Sequence, residues 1–142
     1  QDNKDEALDT INSAQLHYDQ HYAGKTEWRR CLVASTLTLQ CVIGSTWKTF
    51  AKKNRILKFH SIELTAPVFD GATLYAKSTI LETDEYPANP DLGRLKIETL
   101  GSDQTGKTVL KTVYDMLIYR KGIKDDLSPQ EKAMLRLLNT RW

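Results

Sequence analysis

The sequence predicts an α+β fold in which one antiparallel sheet wraps around a central apolar helix, with a short helix at the C-terminus. Three observations predict it. Residues 29–53, RRCLVASTLTLQCVIGSTWKTFAKK, carry apolar side chains almost all round a helical path. Runs of alternating apolar and polar residues follow, rich in β-branched and aromatic types, with turn residues between them. Near the end, Ser128-Pro129-Gln130-Glu131 has the form of a helix start, with an N-cap, a proline at the first helical position and a capping-box glutamate.

Taken in order, residues 2–26 are polar with scattered apolar positions and predict short helices that end near Gly24. In the next segment Val33, Leu37, Cys41 and Gly44 recur at helical spacing, while Leu39, Val42 and Ile43 occupy the remaining faces. That pattern predicts a helix buried at the centre of the fold. Ser35 is its expected N-cap, because the periodicity runs from Thr36 onward. Four strands are predicted at 56–68, 73–83, 93–100 and 108–120. In the last of these Leu110, Thr112, Tyr114, Met116 and Ile118 share one face, and Val109, Lys111, Val113, Asp115 and Leu117 share the other. Past Ser128, Met134, Leu137, Leu138 and Trp142 line one face of a short amphipathic helix suited to docking on the domain or on another subunit. The expected organisation is one domain at 1–122 and a tail at 123–142.

Gly101-Ser-Asp-Gln-Thr-Gly106-Lys107-Thr108 has the spacing of a phosphate-binding loop. Such a loop works where a helix leaves it, so that backbone N–H groups and the helix dipole converge on the phosphate. Here a strand pattern leaves it, and Ser102, Asp103 and Gly106 are turn residues. The stretch is therefore expected to be a β-hairpin loop.

Composition excludes some classes. The chain has 142 residues, enough for a real hydrophobic core, and a formal charge of +2 without a long basic block, which neither demands nucleic acid nor forbids a phosphorylated ligand; no nucleic-acid partner is expected. Cys31 and Cys41 lie among apolar residues and lack a Cys-x-x-Cys or Cys/His ligand pattern, which predicts buried reduced thiols and neither a disulfide nor a metal site. No apolar run has membrane-spanning length and QDNKDEALD holds no signal-peptide core, so a cytoplasmic protein without membrane contact is expected.

Residues 10–23, TINSAQLHYDQHYA, concentrate Asn12, His17, Asp19 and His21. A neutral imidazole moves protons near neutral pH and an amide can position a water, so Asn12 and His17 form a candidate pair if SAQL makes a turn between them. Asp19 is expected to be structural, accepting backbone hydrogen bonds, and His60, inside a strand pattern, to lie on the sheet surface.

The order of segments carries a resemblance. It rests on Asp2-Asn3; Thr10-Ile11-Asn12 with Leu16-His17-Tyr18-Asp19 and Tyr22-Ala23; Leu32-Val33-Ala34-Ser35; Pro67-Val68-Phe69-Asp70-Gly71-Ala72-Thr73-Leu74-Tyr75; Pro90-Asp91-Leu92-Gly93; and Gln104-Thr105-Gly106. Through these, from Asp2 to Gly122, the chain resembles the MaoC-like enoyl-CoA hydratase/dehydratase family, nearest its mesaconyl-CoA-hydratase-like branch. The helix-in-sheet arrangement is then the hot-dog fold. The resemblance implies addition or removal of water across the double bond of a 2-enoyl thioester, an acyl-CoA, without a cofactor. It implies that His17 is the catalytic histidine, that Asn12 positions water where relatives carry Asp, and that the backbone at Ser35 polarises the thioester carbonyl. Ala34, Thr36, Arg30 and Gly71 are the implied substrate contacts, with Arg29 and Lys107 as further cations for the coenzyme phosphates. A homodimer is implied, with a heteromer as the alternative. It also implies a strand and a ligand-facing loop before Asp2-Asn3, so either the sequence is trimmed or the sheet is completed differently. Two other readings stay in view: a non-catalytic hot-dog module that binds acyl thioesters or supports an active partner subunit, and, more weakly, a thioesterase.

Overall fold

The structure, a computed structural model, describes residues 2–122. The predicted C-terminal helix and the tail at 123–142 lie outside the described residues. Three helices come first: α1 (Asp2–Asp9), α2 (Gln20–Gly24) and α3 (Ser35–Ser45), with a single 3-10 turn at Gln15–His17 between the first two. Four strands follow, β1 (Lys53–Leu64), β2 (Tyr75–Glu85), β3 (Leu92–Ser102) and β4 (Thr108–Tyr119). They form one antiparallel sheet in the order β1-β4-β3-β2, so β4 and β3 are central and β1 and β2 are edges.

Alternation sets the register. The side chains of β4 that the sequence grouped as one face, Leu110, Thr112, Tyr114 and Met116, are fully buried, and they sit opposite Gly101, Thr99, Ile97 and Leu95 of β3. Two clusters make the core under α3. Val42 packs with Val68, Val109 and Leu110, while Phe50 packs with Ile97, Tyr114 and Met116. Inside this apolar layer the Tyr114 hydroxyl lies 3.1 Å from Thr99 Oγ1, which in turn lies 2.8 Å from Ser78 Oγ, so the buried hydroxyls satisfy one another. On the opposite face polar and charged side chains pair across the strands. His60 Nε2 is 3.0 Å from Asp115 Oδ1, Lys96 Nζ is 2.9 Å from Glu82, and Arg94 bonds Asp84. His60 is therefore a sheet-surface residue, as its strand pattern implied.

Three expectations need correction. Ser35 is not the N-cap of α3. The Ala34 carbonyl accepts the Thr38 N–H at 3.0 Å, and Ala34 has φ −59° and ψ 139° and no side-chain cap bond. The cap is thus Ala34, and Ser35 is the first helical residue. Second, α3 is not buried all round as expected: its inward face is Ala34, Thr38 and Val42, while Ser35, Thr36, Gln40 and Ser45 are exposed. A helix apolar almost all round does not disclose which stripe meets the sheet. As a consequence Cys41 is exposed and only Cys31 is buried. Third, β1 stops at Leu64 instead of reaching Val68. Pro67 has no N–H to donate to a ladder, and Val68 turns away to accept the Val33 N–H at 2.8 Å while Phe69 bridges Leu32.

Ile11 closes α1 in an unusual way. The Asn12 N–H reaches the Ala7 carbonyl at 2.7 Å and the Ile11 N–H reaches the Leu8 carbonyl at 3.1 Å, a Schellman pattern that places Ile11 at φ 58°. Glycine is the usual residue there, because left-handed backbone costs a β-branched residue about 1–2 kcal/mol. The Ile11 side chain is 89% exposed and offsets little of this by burial. Ile11→Gly is accordingly expected to stabilise the protein by about 0.5–1 kcal/mol, after glycine's greater unfolded-state entropy is subtracted. An unchanged or lowered urea midpoint would show that the strain is relieved in another way.

Candidate functional site

Loop chemistry places the functional side chains. The GSDQTGKT stretch is the β3–β4 hairpin loop, as its turn residues predict. Asp103 Oδ1 accepts the Thr105 N–H at 2.8 Å, the Thr105 hydroxyl at 2.6 Å and the Lys107 N–H at 3.1 Å, and Gly106 takes φ 85°. The Asp19 carboxylate similarly caps α2, accepting the N–H groups of His21 at 2.9 Å and Tyr22 at 3.0 Å, and so fulfils its expected structural role.

Both carboxyls are held below the ordinary Asp range, Asp103 chiefly by the Thr105 hydroxyl and Asp19 chiefly by the Tyr22 N–H. Their folded pKa values therefore lie below the unfolded value of about 3.9. The stability they contribute is present above that value and is lost as the pH falls through the folded values. The urea midpoint is expected to drop on acidification below about pH 4, and Asp103→Asn to drop less steeply, because its amide keeps accepting but does not titrate. Identical slopes for the two proteins would contradict this.

His17 ends the 3-10 turn, with its N–H bonded to the Ala14 carbonyl at 3.0 Å. Its ring Nδ1 lies 3.1 Å from the Leu32 carbonyl oxygen. A carbonyl only accepts, so in the neutral ring Nδ1 carries the proton and Nε2 keeps a lone pair for a reacting proton. His17 lines a cavity of about 270 Å³ together with Trp28, Ser35, Thr38, Leu64 and Pro67. The first N–H groups of α3 have no partner within the helix, and its N-cap residue Ala34 has no side chain to cap them, so this cavity holds both an imidazole and the positive end of a helix dipole. A carbonyl oxygen that gains negative charge would be stabilised there, next to a base.

The other predicted residues are dispersed. Asn12 lines a separate cavity of about 220 Å³ with Ala7, Leu8, Ile11, Ser13 and Tyr18, and its Oδ1 accepts the Ala14 N–H at 3.2 Å. It is not among the residues lining the cavity of His17. Ala34 is buried and donates its N–H to Asn3 Oδ1 at 2.7 Å, and the Thr36 hydroxyl donates to Glu6 Oε1 at 2.7 Å. Arg30 and Gly71 line a second cavity of about 140 Å³ with Asp70 and Gln104, which shares Pro67 and Val68 with that of His17. The Arg30 guanidinium lies over the Phe69 ring, 3.8 Å from its centroid, and the ring of Trp28 lies 6.3 Å from that of Phe69. Arg29 Nη1 donates to the Gly24 carbonyl at 3.5 Å, and Lys107 stays in the hairpin loop outside either cavity.

Two residues that sequence reasoning gave no role matter to this geometry. Asn3 bonds three backbone groups around His17, and Gln104 Oε1 accepts the Thr73 N–H at 3.0 Å, joining the loops before β2 and β4. Both act over long sequence separations, which no local pattern signals. Among the described residues no three His, Cys, Asp or Glu side chains converge to hold a metal ion, and no helix is long and apolar enough to cross a membrane.

No protein-family model matches the chain, and no curated protein matches it in sequence. Solved structures do match. A monoamine oxidase regulatory protein from Archaeoglobus superposes with a TM-score of 0.74 at 21% identity, over 84% of this chain and 81% of that one. A MaoC-like dehydratase from Rhodospirillum rubrum gives 0.74 at 15% identity, over 84% and 83%. The fold is a hot dog. The (R)-hydratase of A. caviae involved in PHA biosynthesis gives 0.64 at 20% identity, over 80% and 82%. At these identities the likeness establishes the hot-dog architecture, and the chemistry has to be argued from this chain's own residues.

Proposed function

We propose that the chain is a hydratase or dehydratase that acts on the double bond of a 2-enoyl thioester of coenzyme A. One observation carries the reading: His17, with Nδ1 bonded to the Leu32 carbonyl, lines the same cavity as Ser35 at the N-terminus of α3. In hydration, Nε2 accepts a proton from water as the water oxygen bonds to C3 of the enoyl group. The π electrons move through C2 to the thioester oxygen, and the resulting enolate faces the N–H groups of Ser35 and Thr36. The imidazolium then gives its proton to C2, which restores the carbonyl and the neutral ring. Dehydration follows the same steps in reverse. The neighbouring solved dehydratase and hydratase structures support this class of reaction by analogy of fold.

Asn12 takes a different role from the one its position in the sequence implied. An amide cannot serve as the base, and by accepting from Ala14 it shapes the turn leading to His17. His17 holds the water. Arg30 and Gly71 line the adjoining cavity, where the pantetheine and phosphate end of the coenzyme would lie. The small cavity suits short or branched acyl groups, in keeping with the mesaconyl-CoA-hydratase-like branch, and the protein would work in the cytoplasm. A homodimer is the proposed assembly, with a heteromer as the alternative. Apolar side chains stand exposed on both sheet edges, Ile62 and Leu64 on β1 and Tyr75, Ile80 and Leu81 on β2, and Leu64 also lines the His17 cavity.

The position of Asn12 favours one second reading, a non-catalytic hot-dog module that binds acyl thioesters beside an active partner. A panel of short, branched and carboxylated 2-enoyl-CoA thioesters, followed by loss of the conjugated thioester absorbance, separates the two. Turnover on any member supports the enzyme. Tight binding without turnover on every member would assign the module.

A further inference from the structure

We propose that Asn3 is a positioning residue for His17, a clamp that fixes the imidazole's orientation and tautomer against the start of α3. The inference rests on the hydratase reading, since it concerns how that reading's base is held. Asn3 Nδ2 donates to the His17 carbonyl at 2.8 Å and to the Leu32 carbonyl at 2.8 Å, and Asn3 Oδ1 accepts the Ala34 N–H at 2.7 Å. Both amide protons are thereby used. The Leu32 oxygen receives two donors, Asn3 Nδ2 and His17 Nδ1 at 3.1 Å, which fills both of its lone pairs. One short side chain thus ties together the backbone of His17, the acceptor of its ring and the residue that caps α3.

The chemistry of that node admits few replacements. It needs two donors and one acceptor on a short, planar group, which is an asparagine amide. A carboxylate at position 3 would turn two acceptors toward two carbonyls and lose the Leu32 and His17 bonds together. The helix that carries Asn3 is itself anchored, because Glu6 on the next turn of α1 accepts from Thr36 in the first turn of α3. So α1 acts as a bracket between the His17 turn and α3, across sequence separations of 14 and 31 residues. Orientation of a catalytic imidazole through the partner of its second nitrogen has large effects on rate, because the wrong tautomer offers a proton where a lone pair is required.

The test begins with the ring. Long-range ¹⁵N–¹H correlation of the 142-residue chain is expected to show neutral His17 as the Nδ1–H tautomer, with a slowly exchanging Ala34 amide. In Asn3→Asp the ring is expected to become a mixture of tautomers and the Ala34 amide to exchange faster. On a substrate that turns over, kcat is expected to fall by roughly 10- to 100-fold with little change in KM. A folded Asn3→Asp that keeps the pure Nδ1–H tautomer would overturn the proposal, as would an Nε2–H tautomer in the unsubstituted protein. If Asn3→Asp does not fold, Asn3→Ala takes its place, and if neither folds the unsubstituted ring decides alone. The two claims fail separately. A ring held as described without turnover removes the hydratase and keeps the clamp, whereas turnover with an unaltered ring in Asn3→Asp removes the clamp and keeps the hydratase.

Discussion

His17→Ala is expected to lower turnover of a 2-enoyl thioester by roughly 10²- to 10⁴-fold, the range that one positioned general acid–base supplies. The loss should be near the upper end, because His17 both takes the proton from water and returns it to C2, and among the described residues no other titratable side chain lines its cavity. The fold should survive. His17 is only half-buried, its turn is held through backbone bonds, and the Asn3 clamp reaches its carbonyl, which Ala retains. Far-UV circular dichroism and acyl-CoA affinity close to those of the unsubstituted protein would separate lost chemistry from lost structure. A variant with undiminished turnover would exclude His17 as the base.

Gly101→Val is expected to destabilise the protein by about 3 kcal/mol, an overpacking effect. A Cβ at Gly101 would lie 2.6 Å from Val42 Cγ2, 3.2 Å from Val42 Cγ1 and 3.3 Å from Leu110 Cβ. Val42 is β-branched and helical, with essentially one side-chain rotamer open to it, so it cannot swing aside. Either α3 lifts from the sheet or β3 moves outward. Lifting α3 would also shift the Ser35 N–H groups relative to His17, so the variant should lose activity along with stability. Val42→Ala placed beside it is expected to recover part of the loss by opening the missing space. Equal urea midpoints for Gly101→Val and the double variant would locate the strain away from Val42.

What the sequence disclosed follows from how local each signal is. Alternation made β4 legible, because its inner residues Leu110 to Met116 are apolar or hydroxyl-bearing at a strict period of two. The hairpin loop was legible for the same kind of reason: Asp103, Thr105 and Gly106 form bonds only a few residues long. So was the cap at Asp19. The inward face of α3 was hidden, since Leu37, Leu39, Val42 and Ile43 spread the apolar side chains over several faces and a polar residue, Thr38, sits at the centre of the buried one. The end of β1 was misplaced because the apolar run continues through Ala66 and Val68, although Pro67 forbids a ladder bond there.

Within the candidate site, His17 and Ser35 could be named from the sequence, but their meeting in one cavity depends on Leu32, Val68 and Asn3 bonding across the fold. Asn12 pairs with His17 in the sequence because an amide can position water and because the resemblance places it where relatives carry Asp. Its side chain instead follows a local preference, the bond from an Asn oxygen to the N–H two residues on, which turns it to another cavity. Asn3 had no local signal at all.

Whether His17 and the start of α3 act on one thioester is decided by titrating a saturated short-chain acyl-CoA into ¹⁵N-labelled protein. The ligand binds but has no double bond to hydrate. The largest shifts are expected at the Ser35 and Thr36 amides and at the His17 ring nitrogens, growing together along one binding curve. Saturable binding that leaves these resonances unmoved, with shifts gathered instead around Leu8, Ile11 and Tyr18, would contradict it.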